Sequence, residues 1–121
     1  MLTVYTYAKC STCRRATQWL RGRGARFEER PIRETPPSAS ELSAMLKANG
    51  GNLRRLFNTS SQDYRDLGIT DRIDAMTPAE AFHLMAKNGN LVRRPFLIGP
   101  EVALVGFDEE LWGAALARPG V

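Results

Sequence analysis

The sequence predicts an α/β fold, and three features of the chain support that prediction. Residues 2–7 alternate β-branched and aromatic side chains, which is typical of a strand. The middle of the chain has a Ser and a Thr that are each followed three residues later by Glu, a pattern that marks the start of a helix. Two short apolar runs, over residues 94–98 and 102–105, are separated by Gly and Pro and indicate a hairpin. A chain of 121 residues is long enough for one domain with its own core.

The first third of the chain is predicted to form a strand, a helix and a second strand. The polar residues 8–12 follow the first strand and supply side chains that cap helices. The helix is predicted from about Cys13 to Arg21, and two glycines end it. The second strand is short and covers residues 26–32.

The middle of the chain is predicted to be a helical insertion over residues 35–90. A Thr-Pro-Pro run opens it and separates it from the preceding strand. Ser38 with Glu41, and Thr77 with Glu80, match the capping box. In that motif each of the two side chains accepts a hydrogen bond from the backbone of the other residue. Shorter helices are predicted between the two capping boxes, at residues 53–57 and 62–67.

The last third is predicted to form the hairpin and a final helix, which Asp108 can cap. The order of elements is therefore βαβ, a helical insertion and ββα. This order indicates a thioredoxin-like architecture, in which residues 1–121 form a single domain that carries the insertion.

Charge and hydropathy narrow the functional classes. The formal net charge is +4 with a pI near 9.5, which favours anionic partners. The arginines are scattered and are not interleaved with aromatic residues, so we expect no direct binding to nucleic acid. No apolar run approaches the length of a membrane span, and the first residues do not resemble a signal peptide. We therefore expect a cytoplasmic protein in a reducing compartment, with no membrane contact.

Two cysteines three positions apart, Cys10 and Cys13, are the candidate catalytic residues. In a reducing compartment this spacing at a strand-to-helix junction is typical of redox chemistry. The unpaired N–H groups at the start of the helix, together with Lys9, Arg14 and Arg15, favour the anion of Cys10. Helical spacing turns Cys13 toward the packed side. Cys10 is then expected to attack a disulfide, and Cys13 to resolve the resulting mixed disulfide.

Two other interpretations of the cysteines stay open. Both could be small buried residues without chemistry. A structural zinc site needs four ligands, whereas the chain offers two cysteines and His83, so zinc would require a dimer. We predict no metal, and nothing in the sequence requires more than a monomer.

The segments CSTCRRA, LFNTSSQDYRDLGI and RRPFLIGPEVALVGF together resemble the arsenate reductase/Spx family over nearly the whole chain. The resemblance implies a thioredoxin-like core with a helical lobe. It places Cys10 at the position of the nucleophile of the reductases and of the first cysteine in the redox switch of Spx. Cys13 matches the second cysteine of that switch only.

The resemblance also implies an anion-binding site. Arg94 matches one of three arginines that bind the oxyanion in arsenate reductases, whereas the other two positions are Asn58 and Gly106 here. Oxyanions are bound by charge-assisted hydrogen bonds from arginines, so the absence of two of the three arginines disfavours arsenate as the substrate. We expect Arg94 and Arg14 to present positive charge to an anionic ligand. Pro95 is expected beside the cysteines, with a cis peptide bond.

Two functions follow as expectations. The first is a thiol–disulfide oxidoreductase that is arsenate-reductase-like and glutathione-linked, with no bound cofactor and with glutathione or a glutaredoxin-type thiol as partner. The alternative is an Spx-type redox-sensing transcriptional regulator that binds the RNA polymerase α subunit.

Overall fold

A computed structural model describes residues 1–117 of the chain. Its strands and α-helices are β1 (Leu2–Thr6), α1 (Ser11–Gly22), β2 (Phe27–Pro31), α2 (Ala39–Ala48), α3 (Gln62–Asp66), α4 (Ile69–Arg72), α5 (Pro78–Lys87), β3 (Phe96–Gly99), β4 (Val102–Val105) and α6 (Glu109–Leu116). Short 3₁₀ helices cover Leu53–Arg55, Ile73–Ala75 and Gly89–Leu91. The order βαβ, helices, ββα confirms the predicted α/β fold. The predicted single domain runs to residue 121, and 118–121 lie outside the described residues.

The four strands form one mixed sheet in the order β2-β1-β3-β4. β1 runs parallel to β2, and α1 makes the crossover that a parallel pair requires. β3 is antiparallel to both β1 and β4, with Tyr5 opposite Phe96 and Phe96 opposite Val105. The end of β1, the start of β3 and the end of β4 therefore meet at one edge of the sheet.

Each face of the sheet is covered by its own apolar cluster. Val4 and Leu97 point to one side, where they pack with Leu20 of α1 and Trp112 of α6. The residues next to Val4 in β1 and next to Leu97 in β3 point to the other side of the sheet. They pack with residues of the helical segment between β2 and β3, including Phe57, Met45 and Met85. Full burial of one such side chain stabilises the fold by about 1.5–3 kcal/mol. The helical segment is thus part of the apolar core.

Helix α1 starts at Ser11, two residues before the predicted start. Cys10 is the N-cap, because its backbone is extended and its side chain accepts a hydrogen bond from the N–H of Cys13. Cys13, Ala16 and Leu20 are buried at helical spacing, as expected.

Both predicted capping boxes are present. The Ser38 hydroxyl accepts from the Glu41 N–H at 3.2 Å, and the Glu41 carboxylate accepts from the Ser38 N–H at 2.9 Å. Thr77 and Glu80 form the same pair of bonds at 3.2 Å each. Asp108 caps α6, as predicted. No helix within residues 1–117 is long and apolar enough to cross a membrane.

Candidate active site

Cys10 lies at the amino end of α1, at the edge of the sheet where β1 ends. Its N–H donates to the carbonyl of Tyr7 at 2.9 Å, which closes the turn between strand and helix. Its Sγ accepts a hydrogen bond from the N–H of Cys13 at 3.2 Å. The residue is partly exposed, and both cysteines are free thiols. Cys10 therefore lies partly exposed at the amino terminus of a helix, where backbone N–H groups have no partner within the helix.

Cys13 lies one turn further along the helix and is only 2% exposed. Burial, and next the hydrogen bond with Cys10, raise the pKa of its thiol to about 12. A hydrogen bond from the Tyr7 backbone and the charge of Arg94 lower that pKa, but do not outweigh burial. One thiol is thus accessible and the other is sheltered, which is the difference between the two cysteines that the sequence predicts.

The Arg94–Pro95 segment lies beside the thiols because it precedes β3, whose first residue pairs with β1. The peptide bond between Arg94 and Pro95 is cis, as expected from the resemblance. The carbonyl of Pro95 accepts a hydrogen bond from the N–H of Gly106 at 2.9 Å, which ties the segment to the end of β4. Gly106 has a φ of +71°, a conformation that favours glycine.

The guanidinium of Arg94 lies over the ring of Tyr7, with its Cζ atom 4.8 Å from the ring centre. Its Nη1 atom is buried and has no hydrogen-bond partner among residues 1–117. The positive charge of Arg94 lowers the pKa of the Cys13 thiol, so it acts on that sulfur. A buried cationic donor without a partner is energetically unfavourable, so this atom is suited to an anionic ligand.

Two other arginines near the site hold backbone carbonyls. The Nη1 of Arg14 donates to the carbonyl of Ala8 at 2.8 Å and braces the turn before Cys10. The Nε of Arg93 donates to the carbonyl of Arg55 at 2.8 Å. The predicted anion-binding role of Arg14 stays a prediction.

The sequence did not indicate the role of Tyr7 or Arg33. The Nη1 of Arg33 donates to the Tyr7 hydroxyl at 3.0 Å, and its Cζ lies 5.0 Å from the ring centre. Arg33 follows β2, and the pairing of Thr6 with Pro31 brings the two segments together. The alternation of residues 2–7 assigns Tyr7 only to the first strand, and no local pattern points to Arg33.

A cleft lies close to the site, but the cysteines are not part of it. The cleft has a volume of about 590 Å³ and lies beside this edge of the sheet, and Arg93, Gly106 and Trp112 are among its lining residues. In the part of the chain that the structure describes, no group of three His, Cys, Asp or Glu side chains is arranged to hold a metal.

Two cysteines in this spacing at the start of the helix after β1, next to a cis proline before β3, define the class of thioredoxin-fold proteins. The ArsC family model matches residues 5–115, and the chain belongs to that family.

Relatives and solved structures agree with this assignment. The chain is 40% identical over 109 residues to the uncharacterised protein YusI of Bacillus subtilis strain 168, a match that covers 90% of this chain and 92% of YusI. It is 30% identical over 110 residues to the global transcriptional regulator Spx of Listeria innocua, covering 91% of this chain and 82% of Spx. The crystal structure of a possible arsenate reductase from Streptococcus mutans UA159 superposes with a TM-score of 0.84 at 37% identity, covering 93% of this chain and 98% of that protein. The family predicted from the sequence motifs is confirmed.

Proposed function

We propose that the chain is a glutathione-linked thiol–disulfide oxidoreductase of the reducing cytoplasm, in which Cys10 is the nucleophile and Cys13 the resolving thiol. The observation that carries the proposal is the difference between the two sulfurs. Cys10 is partly exposed at a helix terminus, whereas Cys13 is 2% exposed and one turn away. The unpaired buried Nη1 of Arg94 adds positive charge next to them.

The reaction is an exchange of disulfide bonds. The Cys10 thiolate attacks one sulfur of oxidised glutathione or of a glutathionylated substrate. A bond forms between Cys10 Sγ and glutathione, and the other sulfur leaves as a thiolate with the electron pair of the broken bond. Cys13, after losing its proton to solvent, attacks Cys10 Sγ. Glutathione leaves as a thiolate and takes up a proton, so the protein is oxidised by two electrons and the substrate is reduced to two thiols.

The chain returns to its starting state through external thiols of the glutathione or glutaredoxin type, which reduce the Cys10–Cys13 disulfide by the same exchange. No resident cofactor takes part in this cycle. Arsenate is not the substrate we propose, because Asn58 and Gly106 stand where the reductases have oxyanion-binding arginines. The amide of Asn58 donates to the carbonyl of Asn90 at 3.5 Å, and Gly106 has no side chain.

The order of the two steps is favoured by the electrostatics of Cys13. The hydrogen bond and the charge of Cys10 both raise the pKa of Cys13 while Cys10 is a free thiol or thiolate. In the mixed disulfide Cys10 has no ionisable group, so both contributions disappear. The Tyr7 N–H and the charge of Arg94 still lower the pKa. Cys13 therefore becomes a better nucleophile only after Cys10 has reacted.

Trapping of the intermediate tests the proposal. A Cys13→Ser variant treated with oxidised glutathione is expected to carry one glutathione on Cys10, detected by mass spectrometry. The unsubstituted protein is expected to form the internal disulfide instead, and a Cys10→Ser variant is expected to carry no adduct. Absence of an adduct on the Cys13→Ser variant would refute the enzyme proposal.

A second candidate function is a redox-sensing transcriptional regulator that binds the RNA polymerase α subunit. The 30% identity to the regulator Spx over most of both chains favours it. In this case the Cys10–Cys13 disulfide would change a docking surface. Retention of the chain by the immobilised C-terminal domain of the α subunit, measured with and without reductant, tests it. A difference between the two states supports the regulator, and no retention in either state contradicts it.

A further inference from the structure

We propose that Arg33 and Arg94, both held on the ring of Tyr7, form a carboxylate-binding site beside Cys10 that selects anionic thiols and disulfides. The inference rests on the proposed thiol–disulfide exchange at Cys10 and names the class of substrate for it. Glutathione belongs to that class because it carries two carboxylates.

One aromatic ring holds both guanidinium groups. The Cζ atoms of Arg33 and Arg94 lie 5.0 and 4.8 Å from the centre of the Tyr7 ring, within the range of a cation–π contact. The Tyr7 hydroxyl also accepts a hydrogen bond from Arg33 at 3.0 Å. The ring is half-buried, and these contacts restrict both arginine side chains before any ligand arrives. Restriction in advance reduces the entropy lost when a ligand binds.

Both arginines keep donors for a ligand. The Nη1 of Arg94 is buried without a partner within residues 1–117. Arg33 is exposed and forms no ion pair within the described part of the chain, where the two ion pairs join Arg21 to Glu29 and Arg30 to Glu28. A guanidinium can bind a carboxylate through two parallel N–H donors.

Asp63 is the acidic residue whose charge interacts with Arg33. Its carboxylate already accepts hydrogen bonds from the amides of Asn88 and Asn90, at 2.9 and 3.1 Å. These two bonds contribute more to the lowered pKa of Asp63 than Arg33 does. Asp63 is therefore held by the amides, and the Arg33 donors stay available to an external carboxylate.

Tyr7 connects this pair of arginines to the segment that carries the reacting sulfur, and the charge of Arg94 acts on Cys13. The Tyr7 carbonyl accepts the N–H of Cys10 at 2.9 Å, and the Tyr7 backbone lowers the pKa of the Cys13 thiol. In the proposed site, a substrate whose sulfur reaches Cys10 has its neighbouring groups directed toward the side chains held on Tyr7. Carboxylates on that substrate gain attraction, whereas amino groups are repelled.

The experiment compares three disulfides of different charge on the Cys13→Ser background, where the reaction stops at the Cys10 adduct. The probes are oxidised glutathione, which is anionic, hydroxyethyl disulfide, which is neutral, and cystamine, which is cationic. Arg33→Gln is expected to slow adduct formation with oxidised glutathione by about three- to tenfold and with hydroxyethyl disulfide by less than about twofold. The rate with cystamine is expected to stay the same or to rise.

The matched control is Arg26→Gln, which removes the same charge from another exposed arginine, next to the start of β2 and away from the edge that holds Cys10. It is expected to leave the rates of adduct formation with all three disulfides within about twofold of those of the Cys13→Ser parent, since exposed charges beyond a Debye length are screened. Tyr7→Leu removes the ring and is expected to reproduce the selective loss, whereas Tyr7→Phe keeps the ring and is expected to retain most of the selectivity. Tyr7 is thus a positioning residue that acts through the arginines.

The outcomes separate the two proposals. Equal slowing of all three probes by Arg33→Gln, or an effect no larger than that of Arg26→Gln, overturns the carboxylate site and leaves the exchange chemistry intact. If the parent variant reacts with none of the three disulfides, the proposed function is wrong and the site has no substrate to select. Arg33 is exposed, so its substitution keeps the test decisive even if Tyr7→Leu fails to fold.

Discussion

Closure of the Cys10–Cys13 disulfide is expected to depend steeply on pH, because the attacking group is the Cys13 thiolate. Burial raises the pKa of Cys13 to about 12, so only a very small fraction of the molecules carries this thiolate at pH 7. The mixed disulfide removes the contributions of Cys10, but burial, the largest cause, remains. The closure rate is therefore expected to rise about tenfold per pH unit from pH 7 and not to level off by about pH 8.5, the ordinary value for cysteine.

The assay forms the Cys10–glutathione adduct at pH 5, where closure is slow, and then raises the pH in one step. Acid quenching followed by mass spectrometry measures the loss of glutathione with time. Trp19 lies on α1 and packs against the core cluster on that side of the sheet, so its fluorescence is a second probe of disulfide closure. The adduct on the Cys13→Ser variant is expected to persist at every pH. A closure rate that levels off below about pH 8.5 would show that burial does not control Cys13, and the reasoning from its environment would be refuted.

Three further predictions concern stability. Gly89→Ala is expected to destabilise the fold by about 1–3 kcal/mol or more in denaturant unfolding, because a Cβ there would overlap a backbone carbonyl of the segment after β2. Gly22→Ala, with no heavy atom near the added carbon, is expected to be neutral or to stabilise by up to about 1 kcal/mol, and equal losses at both sites would contradict the steric argument. Tyr5→Phe removes a 2.7 Å hydrogen bond to Glu41 and is expected to cost about 1–2 kcal/mol without changing the rate of Cys10 modification; an unchanged unfolding midpoint would contradict this. Two amide hydrogen bonds lower the pKa of Asp63 in the folded protein below its value in the unfolded chain. The Asp63 carboxylate therefore stabilises the fold above the unfolded pKa, and this stabilisation is lost as the pH falls through the folded pKa. Asp63→Asn is therefore expected to flatten the decrease in stability below about pH 4, and an unchanged acid dependence would show that this carboxylate is not involved.

The elements that could be predicted from the sequence are those specified by neighbouring residues. The capping boxes at Ser38 and Thr77 start their helices where predicted, because both partners lie within four positions. Helix α4 was missed, since its N-cap is Gly68, which has a φ of +62° and no side chain to reveal it. The order of the strands was not predicted either, because pairing joins residues that are far apart in the chain.

The same distinction applies to the site. The spacing of Cys10 and Cys13 is local, and it predicted which sulfur is exposed and which is buried. Arg94 and Pro95 were found through the family resemblance. Arg33 could not be found, because its contact with the residue after β1 depends on the register of the parallel β1–β2 pair.

Tyr7 affects two properties of the site through different parts of the residue, namely the position of the sulfurs and the charge that surrounds them. Its backbone carbonyl bonds to the N–H of Cys10 and its backbone lowers the pKa of Cys13, whereas its side chain holds the two arginines. A substitution of the side chain leaves the peptide groups in place, so it removes the positioned charge without removing the bonds that fix the sulfurs. The position of the sulfurs and the charge that surrounds them can therefore be varied independently at one residue. In the proposed exchange the charge acts on the approach of the substrate and the sulfurs carry out the reaction. Tyr7→Leu is therefore expected to change which disulfides react more than whether disulfides react at all.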